Sequence, residues 1–162
     1  KTAYNEMMNY CIGLRDTFSA GSLPFCREGM SHFADVRKLF LLDLWALVIS
    51  VVALMGLMVF TRKQDLRLAG HTPGFWAATG LGISFLAVGG LAALDFDRAF
   101  TVFHKLLFPG KDNWIFYPSK DPVIKMLPAE FFRNCAFLIL AGILISCAAL
   151  LLWDRYKRTH LQ

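Results

Sequence analysis

Apolar residues gather in three long runs, Leu41 to Phe60, Phe75 to Leu94 and Ala136 to Trp153. The first run contains one charged residue, Asp43, near its start, and the other two contain none. A helix rises 1.5 Å per residue and must cross roughly 30 Å of hydrocarbon, so about 20 apolar residues make one crossing. Each run therefore predicts a membrane-crossing helix, over about 40–60, 75–94 and 134–153. Phe131, Phe132, Asn134 and Cys135 are available to extend the third. Lipid offers the backbone no hydrogen-bond partners, which favours helices over strands. The competing arrangement, three buried helices of a soluble bundle, is disfavoured because none of the runs has a polar face. The second run is rich in small residues, among them Ala78, Gly82, Gly89 and Gly90. Small residues let helix backbones approach closely in lipid, so this helix is expected at the centre of the bundle.

Composition supports the pattern. Of 162 residues, 56% are hydrophobic and 18% are charged, against about 25% charged in an average soluble domain. A disordered chain is excluded, and the length leaves room for one domain, residues 1–162. The net charge of +5 sits between apolar runs, which points to a membrane rather than nucleic acid. Residues 61–74 and 154–162 carry six Lys and Arg in 23 positions, against eleven in 78 for residues 1–39 and 95–133. The denser side is expected in the cytoplasm. Residues 1–39 and 95–133 then form a small extracytoplasmic cap. With three spans the N-terminus falls outside, which suggests a further span upstream of these residues.

Within the cap, Tyr4 to Leu14 reads as a helix, followed by a turn at Ser22-Leu23-Pro24. A helical stretch from Glu28 runs into the first span. Glu28, His32 and Asp35 are spaced i, i+4 and i+7, which puts them on one helix face. Asp95 to Phe108 reads as an amphipathic helix with Asp97 as its cap. Pro109 to Pro118 alternates and carries turn residues, so it reads as either a short strand or an extended loop. A short helix opens at Asp121-Pro122, and Pro128 starts the last one. Trp114, Phe116 and Tyr117 suit either interfacial anchoring or the wall of an acyl pocket.

The candidate chemistry is a pair of histidines. His71 and His160 lie in the basic segments and read as solvated. His32 and His104 both fall outside, just beyond a span, with Glu28, Asp35 and Asp97 as nearby carboxylates. A lone histidine there is usually structural. Two on one membrane face suit proton transfer near neutral pH, with a carboxylate fixing the tautomer. No serine elbow and no H-E-x-x-H motif is present. Cys11, Cys26, Cys135 and Cys147 show no metal spacing, and Cys11 and Cys26 are placed to allow a bridge.

Certain residues together carry a resemblance: Glu28, His32 and Asp35-Val36 before a span, then Phe96-Asp97, Phe103-His104 and Phe108. Asn113-Trp114-x-Phe116-x-Pro118, Asp121-x-x-Ile124 and Leu127-Pro128-x-Glu130-Phe131-Phe132 complete the set. From about Tyr4 to Trp153 the chain strongly resembles the lipoprotein intramolecular transacylase family of Gram-positive bacteria. That resemblance implies a polytopic, mainly α-helical protein of the bacterial membrane with four spans, the first lying outside these residues. The implied reaction moves the sn-2 acyl chain of a diacylglyceryl lipoprotein to the α-amino group of its own N-terminal cysteine. It needs no cofactor and no metal. The implied partners are diacylglyceryl-modified lipoproteins and membrane lipid, with no nucleic acid, and the protein is expected to act as a monomer. His32 and His104 would be catalytic, with His104 as base and His32 as relay or oxyanion stabiliser, or the reverse. Asp35 or Glu28 would orient His32, and Asn113 would bond the ester or glyceryl group. Trp114, Phe116 and the Phe100, Phe103 and Phe108 cluster would wall the acyl chain. Three rival readings are a zinc-dependent hydrolase using Glu28, His32, Asp35 and His104, a non-catalytic scaffold, and an acyl-enzyme on Cys11 or Cys26.

Overall fold

The computed structural model describes residues 1–64 and 66–160. Five α-helices follow in order: α1 Thr2–Cys11, α2 Arg27–Thr61, α3 Pro73–Leu94, α4 Phe96–Leu107 and α5 Ala129–His160, with a 3₁₀ turn Pro122–Met126 before α5. Among the described residues there is no β-strand. The only extended pairing among them is a single bridge between Leu68 and His71. The strand alternative for residues 109–118 is thereby set aside. That stretch closes successive turns, with Lys111 N–H donating to the Phe108 carbonyl, Ile115 to Asp112 and Lys120 to Tyr117. Pro109, Pro118 and Gly110 at φ 72° break the alternation that a strand needs.

α2, α3 and α5 are long and apolar enough to cross a membrane, and almost none of their apolar stretches is buried within the protein. Leu42, Val52, Leu86, Leu91, Leu138 and Leu152 all stand exposed. A soluble bundle would bury such surface, so lipid is its natural cover. α2 has 35 residues and is therefore about 52 Å long. That exceeds the hydrocarbon thickness, so its N-terminal turns project beyond the apolar run.

The chain divides into two compact units. The first comprises Lys1–Met58 and Val102–Ala129. Here α1 ends in a Schellman motif, with Leu14 N–H donating to the Asn9 carbonyl and Gly13 N–H to Tyr10. Gly13, at φ 86°, supplies the left-handed residue this motif requires. The segment after α1 folds onto α2 through Phe18, which stacks on Phe33 at 4.8 Å and meets Tyr10 and Phe25 edge-on. Arg37 lies over the Tyr10 ring and donates to the Arg15 carbonyl and the Asp16 carboxylate.

The second unit comprises Val59–Thr101 and Glu130–Gln162, its last two residues lying outside the described set. The small-residue face of α3 meets α5 here. A Cβ on Gly89 would come within 2.6 Å of Leu140, and one on Gly82 within 3.8 Å of Cys147. Ala78 and Cys147 are buried. α3 starts at an aspartate borrowed from α5: Asp154 accepts from Thr72 N–H at 2.7 Å and bonds His71 Nδ1 at 2.8 Å. His71 is therefore not solvated as its basic surroundings suggested, and its ring stacks on Phe75 at 3.7 Å. His160 is exposed, as expected. The cap of α4 also differs from expectation. Asp95, whose backbone is extended, accepts from Arg98 N–H at 2.9 Å. Asp97 falls inside the first turn, where its side chain cannot take the N-cap position.

Candidate active site

Two of the four histidines are buried and adjacent. His32 sits in the second turn of α2, His104 in the last turn of α4, and their ring centroids are 5.9 Å apart. Both residues expose less than a tenth of their surface. α2 supplies His32 on the same stretch as Ser31, Phe33 and Asp35. The turns after α4 fold back and close the other side with aromatic rings. Phe108 meets the His32 ring edge-on at 4.9 Å, Phe116 does so at 5.5 Å, and Trp114 leans on His104 at 5.0 Å. Trp114 Nε1 donates to the Lys111 carbonyl. The aromatic wall thus includes Trp114, Phe116 and Phe108, and Phe103 meets His104 edge-on. Phe100 instead packs with Phe96 and Phe132.

His32 Nδ1 is buried and has no hydrogen-bond partner. The imidazole is held at a pKa of about 4, first by burial and next by the neighbouring His104; Asp35 opposes this, and Lys111 adds to it. His32 is therefore neutral at physiological pH. The expected carboxylate behind it is occupied elsewhere. Asp35 accepts from Lys111 Nζ at 2.6 Å, from Asn113 Nδ2 at 3.2 Å and from Lys38 Nζ at 3.4 Å. Burial pushes the Asp35 carboxyl upward, but those bonds outweigh it and keep it below the usual carboxylate range. Asp35 acts on His32 through its field and its hold on the surrounding side chains.

The remaining sequence candidates divide. Asn113 belongs to the site: Nδ2 donates to Ser31 Oγ at 3.3 Å as well as to Asp35, while Oδ1 is buried and unpartnered. Glu28 is exposed, one turn before His32. Its carboxyl is held below the ordinary value by its own backbone N–H, then by Cys26. Asp97 is exposed, and about 10 Å of helix rise separates it from His104 along α4. Neither Glu28 nor Asp97 supplies a partner for His32 Nδ1. Sequence reasoning missed Lys111, which looks like an ordinary solvated turn lysine in Pro109-Gly110-Lys111-Asp112. Asp121, which the sequence offered as the start of a short helix, is a buried carboxylate that accepts from Cys26 N–H at 2.7 Å and Cys26 Sγ at 3.0 Å. That pairing ties the start of α2 to the segment after the aromatic turns.

The four cysteines are free thiols. Burial raises Cys11 to about 11 and is also the main cause of the upward shift at Cys26. Neither is poised as a thiolate nucleophile at neutral pH. Among the described residues, no three His, Cys, Asp or Glu side chains are gathered as a metal site, so the four residues of the zinc reading do not converge.

A family model described as the lipoprotein intramolecular transacylase Lit matches residues 1–132. The chain belongs to that family. It is a membrane-integral lipoprotein transacylase. A solved structure of the membrane integral lipoprotein intramolecular transacylase Lit from Bacillus cereus is 26% identical to it, with a TM-score of 0.86. The match covers 99% of this chain and 74% of that one. Two further structures of the Bacillus cereus Lit protein carry a histidine replaced by arginine or by alanine. Each covers 99% of this chain; the first is 27% identical with 71% of its own length covered and a TM-score of 0.72, the second 26% identical with 72% and 0.71. No curated protein matches the chain.

Proposed function

We propose that this Lit-family enzyme transfers the sn-2 acyl chain of a diacylglyceryl lipoprotein to the α-amino group of the lipoprotein's own N-terminal cysteine. His32 and His104 work on the extracytoplasmic side of a multi-pass bacterial membrane protein. The observation that carries this reading is the buried imidazole pair inside an aromatic wall. Residues 1–39 and 95–133 form the outer cap, and a span upstream of these residues completes the family's four.

The nucleophile is an α-amine with a pKa near 7.7–8.0, so it reacts as the neutral amine, its ammonium proton already released to solvent, and a base must take one more N–H proton as the C–N bond forms. His104 is that base. It lies at the carbonyl end of α4, where the helix dipole stabilises an arriving positive charge. The neutral amine nitrogen attacks the ester carbonyl, a C–N bond forms as His104 takes one N–H proton, and the carbonyl oxygen becomes an oxyanion. Neutral His32 donates a hydrogen bond from its unpartnered Nδ1 to that oxygen, a task that a depressed pKa favours because the imidazole is a good electrophile without being an acid. Collapse breaks the ester C–O bond, and the proton held by His104 passes to the departing sn-2 oxygen. The products are an amide and a free sn-2 hydroxyl. Base catalysis of this kind is worth about 10²–10⁴-fold. Both reactants sit on one molecule, so positioning supplies up to roughly 7–11 kcal/mol more. The aromatic wall keeps water, a competing nucleophile, away from the ester.

Mass spectrometry of a lipoprotein N-terminal peptide, from cells with and without this gene, tests the reading. The acyl chain is expected on nitrogen only when the gene is present. An acyl chain that stays on the glyceryl group in both strains would overturn it.

A further inference from the structure

Asn113 has one unsatisfied atom, and chemistry restricts what can satisfy it. The side-chain atom 3.2 Å from Asp35 Oδ2 must be the donor Nδ2, because an ionised carboxylate only accepts. The same nitrogen also reaches Ser31 Oγ. The amide is thereby locked with Oδ1 as its free end, and Oδ1 is buried without a partner. Such an acceptor needs an N–H or O–H donor. Asn113 therefore does not bond an ester carbonyl or a glyceryl ester oxygen, which offer acceptors only. A diacylglyceryl thioether carries no donor at all. The donors on such a substrate lie on its peptide part, and the one that must come to the histidines is the α-amino group.

Resting on the transacylase reading above, we infer that Asn113 Oδ1 holds one N–H of the substrate's α-amino group beside the histidine pair. The other proton of the neutral amine faces His104, and the lone pair is left aimed at the ester carbon. Ser31 and Asp35, which flank His32 on α2, set the position of this acceptor, so the nucleophile is placed by the same helix that carries His32. Asp35 is a positioning residue in this scheme, and Asn113 a substrate-binding one.

The test compares two synthetic S-diacylglyceryl-cysteinyl peptides, one with a free α-amine and one N-methylated, on the full-length membrane enzyme and on Asn113→Ala. Asn113→Ala is expected to slow acyl transfer to the free amine about tenfold, the worth of one lost hydrogen bond. N-methylation should cost the wild-type enzyme more than it costs the variant, because the N–H that Asn113 reads is already unpaired there. Asn113→Gln keeps an amide but moves its oxygen by one methylene, and it should lose the discrimination as well, which covers a failure of Asn113→Ala to accumulate. An equal N-methyl penalty in wild type and in either variant overturns the inference while leaving the transacylase reading intact. No acyl transfer by the wild-type enzyme to the free amine overturns the reading itself.

Discussion

The imidazole rings of His32 and His104 lie 5.9 Å apart, one on α2 and one on α4, and nothing hydrogen-bonds the buried Nδ1 of His32. This closeness brings together two residues 72 positions apart in the chain.

Replacing either ring with a methyl group should remove the reaction. His32→Ala and His104→Ala are each expected to lower acyl transfer at least about 10²-fold. Both proteins should still reach the membrane, since the spans do not depend on the rings. Quantifying N-acylated lipoprotein peptides against membrane levels of each variant checks this. Full activity in either variant would return that histidine to a packing role.

The pH dependence separates the two proton-active partners. His32, held near 4, stays neutral from pH 5 upward, so it places no acid limb on activity. The rate should instead rise with pH until the α-amine is largely free, near pH 8. Stability behaves differently. In the unfolded chain His32 binds a proton below about 6.5, whereas in the folded protein it does so only near 4. Stability should therefore fall as pH drops from 6.5 toward 4. Thermal unfolding in detergent micelles across that range, with His32→Phe as the flat control, measures it.

Asp35→Asn should act at a distance. The substitution removes the charge that opposes the downward shift of His32 and leaves Lys111 without its 2.6 Å partner. The pKa of His32 should move lower still, readable from the histidine resonances. The loosened Lys111 and Asn113 should cost about 1–3 kcal/mol of stability.

Gly29 and Asp121 should be coupled. A Cβ at Gly29 would meet Asp121 Oδ1 at 2.7 Å and Phe116 at 3.0 Å. Gly29→Ala is expected to destabilise by about 1–3 kcal/mol and to displace Phe116 from His32. Asp121→Ala removes the bonds at the start of α2 and should cost a similar amount. Because the second change also relieves the clash, the double variant should lose less than the two single losses combined. A thermal-unfolding cycle of the four proteins decides it.

EDTA should leave the reaction untouched. Among the described residues no three metal-ligating side chains converge, and in the proposed mechanism the imidazoles carry the proton chemistry. Activity lost to the chelator and restored by zinc would favour the hydrolase reading.

The helices were readable in the sequence because lipid imposes a long apolar run, a signal that survives without any knowledge of tertiary contacts. The site was readable in part. His32 and Asp35 share a helix with a clear spacing, and Asn113, Trp114 and Phe116 stand together in a dense aromatic segment. Which partner each polar atom takes was not visible. Asp35 is bound by Lys111, from an unremarkable turn 76 residues later, so no local pattern could reserve it. Asp121 capping Cys26 and Asp154 capping Thr72 are failures of the same kind, since a carboxylate can satisfy a helix start from anywhere in the chain. The α4 cap was misassigned by two residues because both candidates are aspartates, and only the extended backbone at Asp95 distinguishes them.

One continuous rod, α2, carries both His32 and the apolar run from Leu41 to Phe60, with no hinge between them. The elevation of the imidazole above the apolar run is thus set by a fixed number of helical steps. A single residue inserted near Phe40 would raise it by about 1.5 Å and swing it by about 100°. If the proposed reaction holds, membrane thickness, by setting how deep this rod sits, becomes a control on which carbonyl along a glycerolipid the ring can reach.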